Sequence, residues 1–267
     1  MIKVSDGLSL YVDVKGEGPG VLFSHGLSGS ARNWRATIAA LPGYRCLAYD
    51  VLGHSRSDTP SSSHRYHIDA LVQDMVDILD HFNMQRASLI GLSMGAALSL
   101  KFALTHTDRV KSLVLSSFPN QAPTQGGVSG YAAAFSKAIL EEGLEKAGEQ
   151  FVWGEQSGLS PRDASMVRLG YMGNSAVGIA NILSGLFVNM KPLESDKQAL
   201  QTLDLPVLVL AGERDTLSVR ASEKLMEYLP NAHCHFIPKG GHLINIDSKQ
   251  KYNEHIRVFF QGIYQCP

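Results

Sequence analysis

Short apolar runs alternate along this chain with longer segments whose apolar residues recur at helical spacing. Leu8 to Val14 alternates as an early strand, and Gly20 to Gly26 is an apolar run ending in glycine, as a buried strand does. Tyr44 to Asp50, Ala87 to Gly91 and Val110 to Ser117 read as further strands. Between them the spacing predicts helices over about Ala31 to Leu41, His67 to Phe82 and Met94 to His106. In the second of these, Ile68, Leu71, Val72, Met75, Val76, Leu79 and Phe82 fall on one helical face. The pattern returns late in the chain. A strand ends in Leu205 to Asp215, a helix follows near Val219 to Tyr228, His233 to Pro238 is a strand, and a last helix lies near Asp247 to Phe260. Such alternation predicts an α/β fold, a mostly parallel sheet with helices on both faces.

The stretch from Asn120 to about Leu203 breaks the rhythm. It carries helical patterns and no convincing strand, and Thr124 to Gly130 reads as a mobile loop. The expected organisation is therefore one core domain, residues 1–118 and 204–267, with a helical cap, 119–203, inserted in it.

Composition narrows the functional classes. The chain has 267 residues, 44% of them hydrophobic, which is enough for one sizeable core. Its 24 Lys and Arg nearly balance 25 Asp and Glu, and no basic stripe offers itself to nucleic acid. Cys46, Cys234 and Cys266 are odd in number and far apart, which fits neither a disulfide framework nor a metal spacing and suggests a reducing compartment. The alternating N-terminus has no signal-peptide pattern, and no run reaches the roughly 18 apolar residues of a membrane span. A cytoplasmic protein with no membrane or nucleic-acid partner is the expectation.

The chemistry concentrates around Ser93. It sits between Gly91 and Gly95, directly after a predicted strand and before a predicted helix. Small neighbours are needed in so sharp a turn, which would raise the hydroxyl at the carboxyl end of the sheet. The structural alternative is an ordinary N-cap serine. A serine nucleophile needs a base, and the base needs an orienting acid. Asp215 and His242 each fall just past a later strand, in the order Ser, Asp, His; Glu213 is the rival acid. Of the other histidines, His233 and His235 lie in a strand, His255 in the last helix and His106 at a helix end. Two backbone N–H groups must meet the developing oxyanion, and the candidates are those of Met94 and Leu27. His25 reads as structural. Gly16 to Gly20 resembles a nucleotide fingerprint but precedes its strand, so it reads as a turn. The carboxylates and histidines of His67 to His81 read as the solvated face of a packed helix, not a metal site.

Along nearly its whole length the chain resembles the α/β-hydrolases with a helical cap. The segments that carry the resemblance are Ser24 to Trp34, Tyr49 to Asp58, Gly91 to Ala97, Ala211 to Asp215 and Gly240 to His242. The nearest similarity is to the group of 3-oxoadipate enol-lactonases, small carboxylesterases and cofactor-free haloperoxidases. The resemblance implies a Ser93–Asp215–His242 triad, whose chemistry needs no cofactor or metal, and the apolar residues of an inserted cap roofing it favour a small or medium hydrophobic ester or lactone as substrate. Lactone hydrolysis, C–C hydrolysis, perhydrolysis or acyl transfer could use the same triad, as could a slow-turnover small-molecule receptor. Ser55 and Ala96 stand where the family commonly has glycine; both are small, so the turns should survive. Arg32 and Arg168 are the reserve candidates for binding a substrate carboxylate.

Overall fold

The computed structural model describes residues 1–119, 127–154 and 161–264. A two-stranded ribbon, β1 (Ile2–Lys3) with β2 (Ser9–Leu10), precedes the main sheet. That sheet has seven strands in the order β3-β5-β4-β6-β7-β8-β9. They are β3 (Val12–Lys15), β4 (Gly20–Ser24), β5 (Arg45–Tyr49), β6 (Ala87–Leu92), β7 (Val110–Ser116), β8 (Val207–Gly212) and β9 (Ala232–Ile237). Only β3 is antiparallel to its neighbour. The expected early strand over Leu8 to Val14 is thus two pieces. Tyr11 divides them, its N–H donating to Ser57 Oγ (3.0 Å) and its ring covered by the Arg56 guanidinium.

Helices cover both faces. A 3₁₀ turn (Ala31–Trp34) leads into α1 (Arg35–Ala39), followed by α2 (Ile68–His81) and α3 (Met94–Thr105). Between β7 and β8 lie α4 (Gly127–Gly148), α5 (Pro161–Met172), α6 (Ala176–Ile182) and α7 (Lys197–Gln201). After β8 come α8 (Thr216–Tyr228), α9 (Ile244–Asp247) and α10 (Lys249–Tyr264). One core cluster unites one sheet face with α2, α3, α8 and the helices between β7 and β8; the other joins Trp34, Tyr252, Ile256 and Phe260 to Phe23, Ile90 and Leu210. The helix α10 is fixed by polar contacts as well. Tyr252 OH meets Ser116 Oγ (2.9 Å), and Tyr264 OH meets Ser88 Oγ (2.6 Å), which in turn meets Ser112 Oγ (2.7 Å).

One expectation changes here. Gly127 to Gly130, read as loop, opens α4, whose buried Ala132, Phe135 and Ile139 override the glycine signal; Thr124 to Gly126 lie outside the described residues. The carboxylates of α2 are engaged in pairing: Asp74 with Arg65, Asp69 with Lys101 (3.4 Å), and Asp77 with the Ser5 N–H (2.6 Å). Cys46 is buried and free, its thiol pushed up to about 12 by burial; Cys266 lies outside the described residues. Among the described residues, no helix is long and apolar enough to cross a membrane.

The strand order reverses between β5-β4 and β6-β7, so the carboxyl ends of β4 and β6 flank the switch point where such sheets bind ligands. There α3 comes very close to β4. A Cβ on Gly95 would lie 1.9 Å from the Ser24 carbonyl oxygen, and one on Gly91 would lie 2.2 Å from the Gly95 carbonyl oxygen. Both obstacles are backbone and cannot rotate away. Gly95→Ala should therefore destabilise the protein by about 3 kcal/mol, the upper end for overpacking. Gly262→Ala, where nothing lies within 4 Å in an exposed turn of α10, should stabilise by about 0.5–1 kcal/mol. Urea midpoints of the two variants check both signs.

Candidate active site

Ser93 is the only residue between β6 and α3, and the turn forces it into φ +52°, ψ −114°. That is a strained conformation for a residue with a Cβ. Although Ser93 occupies the N-cap position, its side chain makes no capping hydrogen bond. The N-cap alternative therefore fails on geometry. The backbone does the capping instead: the Ser93 carbonyl accepts from Ala96 and Ala97 (2.9 and 3.1 Å), and its N–H donates to Ser116 O (2.8 Å). Met94 is the first residue of α3, so its N–H has no acceptor within the helix. The substitution of Ala96 for glycine leaves the turn intact, with its methyl group fully buried.

Asp215 and His242 are brought into direct contact. His242 Nδ1 lies 2.6 Å from Asp215 Oδ2. The other carboxylate oxygen, Oδ1, accepts the Ser218 N–H (3.2 Å) and so caps α8. One side chain thus starts a helix and orients an imidazole, which fixes both its rotamer and its place. Burial raises the Asp215 pKa, but the hydrogen bond and charge of His242, with the bonds to Ser218, outweigh it and hold the carboxyl below its ordinary range. The Asp215 side chain is 11% exposed and that of His242 is 47% exposed. The proton of His242 therefore sits on Nδ1, which leaves Nε2 as the acceptor. Glu213, the rival acid, is engaged elsewhere: its Oε2 accepts the Lys239 N–H (3.3 Å). Ser117 Oγ donates to His242 O (2.7 Å), so consecutive residues at the end of β7 tie down the His242 loop and the Ser93 turn.

The Leu27 loop closes the third side. A Cβ on Gly26 would lie 3.5 Å from Ser93 Cβ, so this loop lies directly against the serine. His25 is buried and wholly engaged in structure: Nε2 accepts from Val51 N–H (2.9 Å), which puts the proton on Nδ1, where it is donated to Gly26 O (2.8 Å). Asp50 accepts from Ala31 N–H (2.7 Å) and pairs with Arg56 through two bonds (2.7 and 3.0 Å). Burial raises its pKa, and Arg56 with the Ala31 N–H more than reverses that. The expected structural role of His25 is what the bonding displays. Sequence reasoning missed the part of Asn174, whose side chain bonds to both the Ser28 and Ser55 backbones. No periodicity or motif marks an asparagine in an irregular bend.

Arg168 is exposed and spends its guanidinium on Glu145 (2.7 Å), and Arg32 is exposed on the 3₁₀ turn after Ser30. Among the described residues no group of three or more His, Cys, Asp or Glu could hold a metal ion.

Comparison with known proteins gives a consistent account of the fold. The family model for the alpha/beta hydrolase fold matches residues 19–249. A Bacillus subtilis (strain 168) protein, provisionally named a 2-succinyl-6-hydroxy-2,4-cyclohexadiene-1-carboxylate synthase, is 30% identical over 98% of each chain. The 3-oxoadipate enol-lactonase 1 of Acinetobacter baylyi is 24% identical over 98% of this chain and 97% of its own. Among solved structures, a thermophilic esterase from Thermogutta terrifontis superposes with a TM-score of 0.86 at 22% identity, covering 98% of this chain and 96% of that one.

The buried histidines beside the site make stability depend on pH. His25 and His54 stack edge to face, 4.9 Å between ring centres, and both are fully buried. Burial pushes both below the ordinary imidazole range, His54 to about 3, with His25 adding to the effect on His54. The native state keeps these rings neutral where the unfolded chain takes up protons. Stability is therefore intact above about pH 6.5 and falls on acidification towards pH 3. Unfolding free energies from urea titrations between pH 7.5 and 5 should fall by up to about 1.4 kcal/mol per pH unit for each such ring. His54→Gln should show a shallower slope; an unchanged slope would remove His54 from the account.

Proposed function

The chain belongs to the alpha/beta hydrolase family, and on that premise we propose that it is a serine hydrolase that cleaves a small to medium hydrophobic ester or lactone through an acyl-enzyme on Ser93. One observation carries the reading. Ser93 is held in a strained turn with its hydroxyl released from capping, and the Asp215–His242 pair, 2.6 Å apart, is tied through the His242 carbonyl to Ser117, next to the Ser116 that accepts the Ser93 N–H. A structural serine at a helix start would use its oxygen on the helix.

In this mechanism His242 Nε2 takes the Ser93 proton as Oγ attacks the carbonyl carbon. Asp215 holds the imidazole in the Nδ1–H tautomer and stabilises the cation that forms. The N–H groups of Met94 and Leu27 receive the oxyanion. His242 then protonates the leaving alkoxide, and deprotonates the water that releases the acid and restores Ser93.

The helices between β7 and β8 act as the cap, residues 119–203, on a core formed by 1–118 and 204–267. Their seat on the core supports this: Asn174 bonds to Ser28, and a Cβ on Gly178 would lie 2.1 Å from the Gly53 carbonyl oxygen. Much of the cap's aromatic content packs on itself, as where Phe135 stacks on Phe151 (4.8 Å) and lies parallel to Tyr171 (6.0 Å). Selectivity among acyl chains should then come in severalfold steps, since one buried methylene is worth about 0.8 kcal/mol.

The Bacillus subtilis relative supports a second reading, formation of a carboxylated cyclohexadiene with the same three residues. An assay panel of aryl esters and lactones separates the two. Fast turnover favours the hydrolase, whereas labelling at Ser93 without ester or lactone turnover favours the synthase reading.

Two outcomes are expected of the hydrolase. A fluorophosphonate probe labels the wild-type protein at Ser93, and Ser93→Ala abolishes the label; full labelling of the variant would overturn the assignment. Asp215→Asn lowers kcat by about 10⁴-fold by favouring the wrong imidazole tautomer, a loss known for such a change in a serine protease. Glu213→Gln stays near wild type, and the reverse ranking would make Glu213 the orienting acid.

A further inference from the structure

Asn174 stands in the bend between α5 and α6, and its amide orientation is dictated by its partners. The Ser55 N–H can only donate, so it meets Oδ1 (3.0 Å). The carbonyls of Ser28, Gly170 and Tyr171 can only accept, so they meet Nδ2 (2.9, 2.8 and 3.2 Å). The two partners outside its own segment share a property. Ser28 has φ +60° and Ser55 has φ +47°, the left-handed region that side chains other than glycine's enter at a steric cost. One amide thus joins the loops after β4 and β5 at the two points where their backbones are least favourable.

The loop after β4 contains the Leu27 N–H. Ser28 is the third residue of a turn closed by Gly29 N–H to Gly26 O (2.9 Å), and His25 Nδ1 donates to the same oxygen (2.8 Å). A left-handed residue at that position is what a type II turn requires. The Gly26 carbonyl and the Leu27 N–H belong to one planar trans peptide and point in opposite directions. Fixing the carbonyl therefore aims the N–H, and a left-handed Ser28 keeps the turn that helps fix it in its type II form.

We propose that Asn174 is a positioning residue: it holds the Ser28 turn in its left-handed form, aims the Leu27 N–H at the oxyanion, and so makes the oxyanion hole depend on the seating of the α5–α6 bend. This rests on the serine-hydrolase reading above. Asn174 acts through the Ser28 backbone, not on the substrate. When the bend lifts from the core, the hole loses its fixed donor; when it seats, the hole is restored.

The test uses the full chain with Asn174→Ala, Asn174→Asp and the double variant Asn174→Ala/Ser28→Gly. Steady-state hydrolysis of p-nitrophenyl butyrate, fluorophosphonate labelling rate and amide hydrogen exchange across residues 25–30 are measured for each. Asn174→Ala should lower kcat about 10- to 100-fold, less than the 10²–10³ for removing a donor outright, with KM almost unchanged. Its exchange at 25–30 should quicken while the urea midpoint moves little. Asn174→Asp keeps the acceptor for Ser55 but has no donor for Ser28, so it should match the alanine variant. Ser28→Gly in the alanine background should recover part of kcat, because glycine holds a left-handed φ unaided. Unchanged exchange at 25–30, an unchanged kcat in Asn174→Ala, or a wild-type Asp variant overturns the proposal alone. Equal labelling of wild type and Ser93→Ala overturns the hydrolase reading, and the oxyanion role falls with it.

Discussion

The approach of one helix to one strand governs this molecule. The N-terminus of α3 lies so close to the end of β4 that only hydrogen atoms fit between Gly95 and the Ser24 carbonyl. Closing that gap drives Ser93 into its left-handed turn and lifts its hydroxyl clear of the helix it begins. It also brings Gly26 against the Ser93 Cβ, so the Leu27 peptide and the serine share one small volume. Any side chain larger than hydrogen at Gly95 would part all of them together.

Around that contact, polar groups achieve what apolar packing cannot, because they set direction as well as distance. Asp215 divides its two oxygens between a helix end and an imidazole. His25 divides its two nitrogens between the loops after β4 and β5. Asp50, fully buried, answers both a backbone N–H and Arg56. Each of these groups has two partners on different segments, so removing one side chain unpairs polar groups on two segments at once.

Much of this is legible in the sequence because the chemistry and the local turns use the same residues. Gly91, Ser93 and Gly95 reveal the turn through size alone, and Asp215 and His242 reveal themselves through position after strands. The contest between Asp215 and Glu213 cannot be decided from spacing, since the two stand so near each other that only the turn after β8 says which faces His242. The start of α4 reads falsely as loop because glycine marks loops by local propensity, whereas buried Phe135 and Ile139 fix that helix through distant contacts. Asn174 is illegible for a related reason. Its importance lies in which backbone groups approach it, and those come from Ser28, 146 residues earlier, and Ser55, 119 residues earlier.

The tyrosine hydroxyls of α10 bear on the order in which the chain can fold. Tyr252 reaches Ser116 across 136 residues, and Tyr264 reaches Ser88 across 176. Until α10 is in place, Ile90 and Leu210 have no cover from Ile256 and Phe260, and Ser88, Ser112 and Ser116 lack these phenol partners. Contacts so distant in sequence carry a large loop-closure cost and form late. That face of the sheet, partly covered by Ala31, Trp34 and Leu41, is therefore closed only when α10 docks across it.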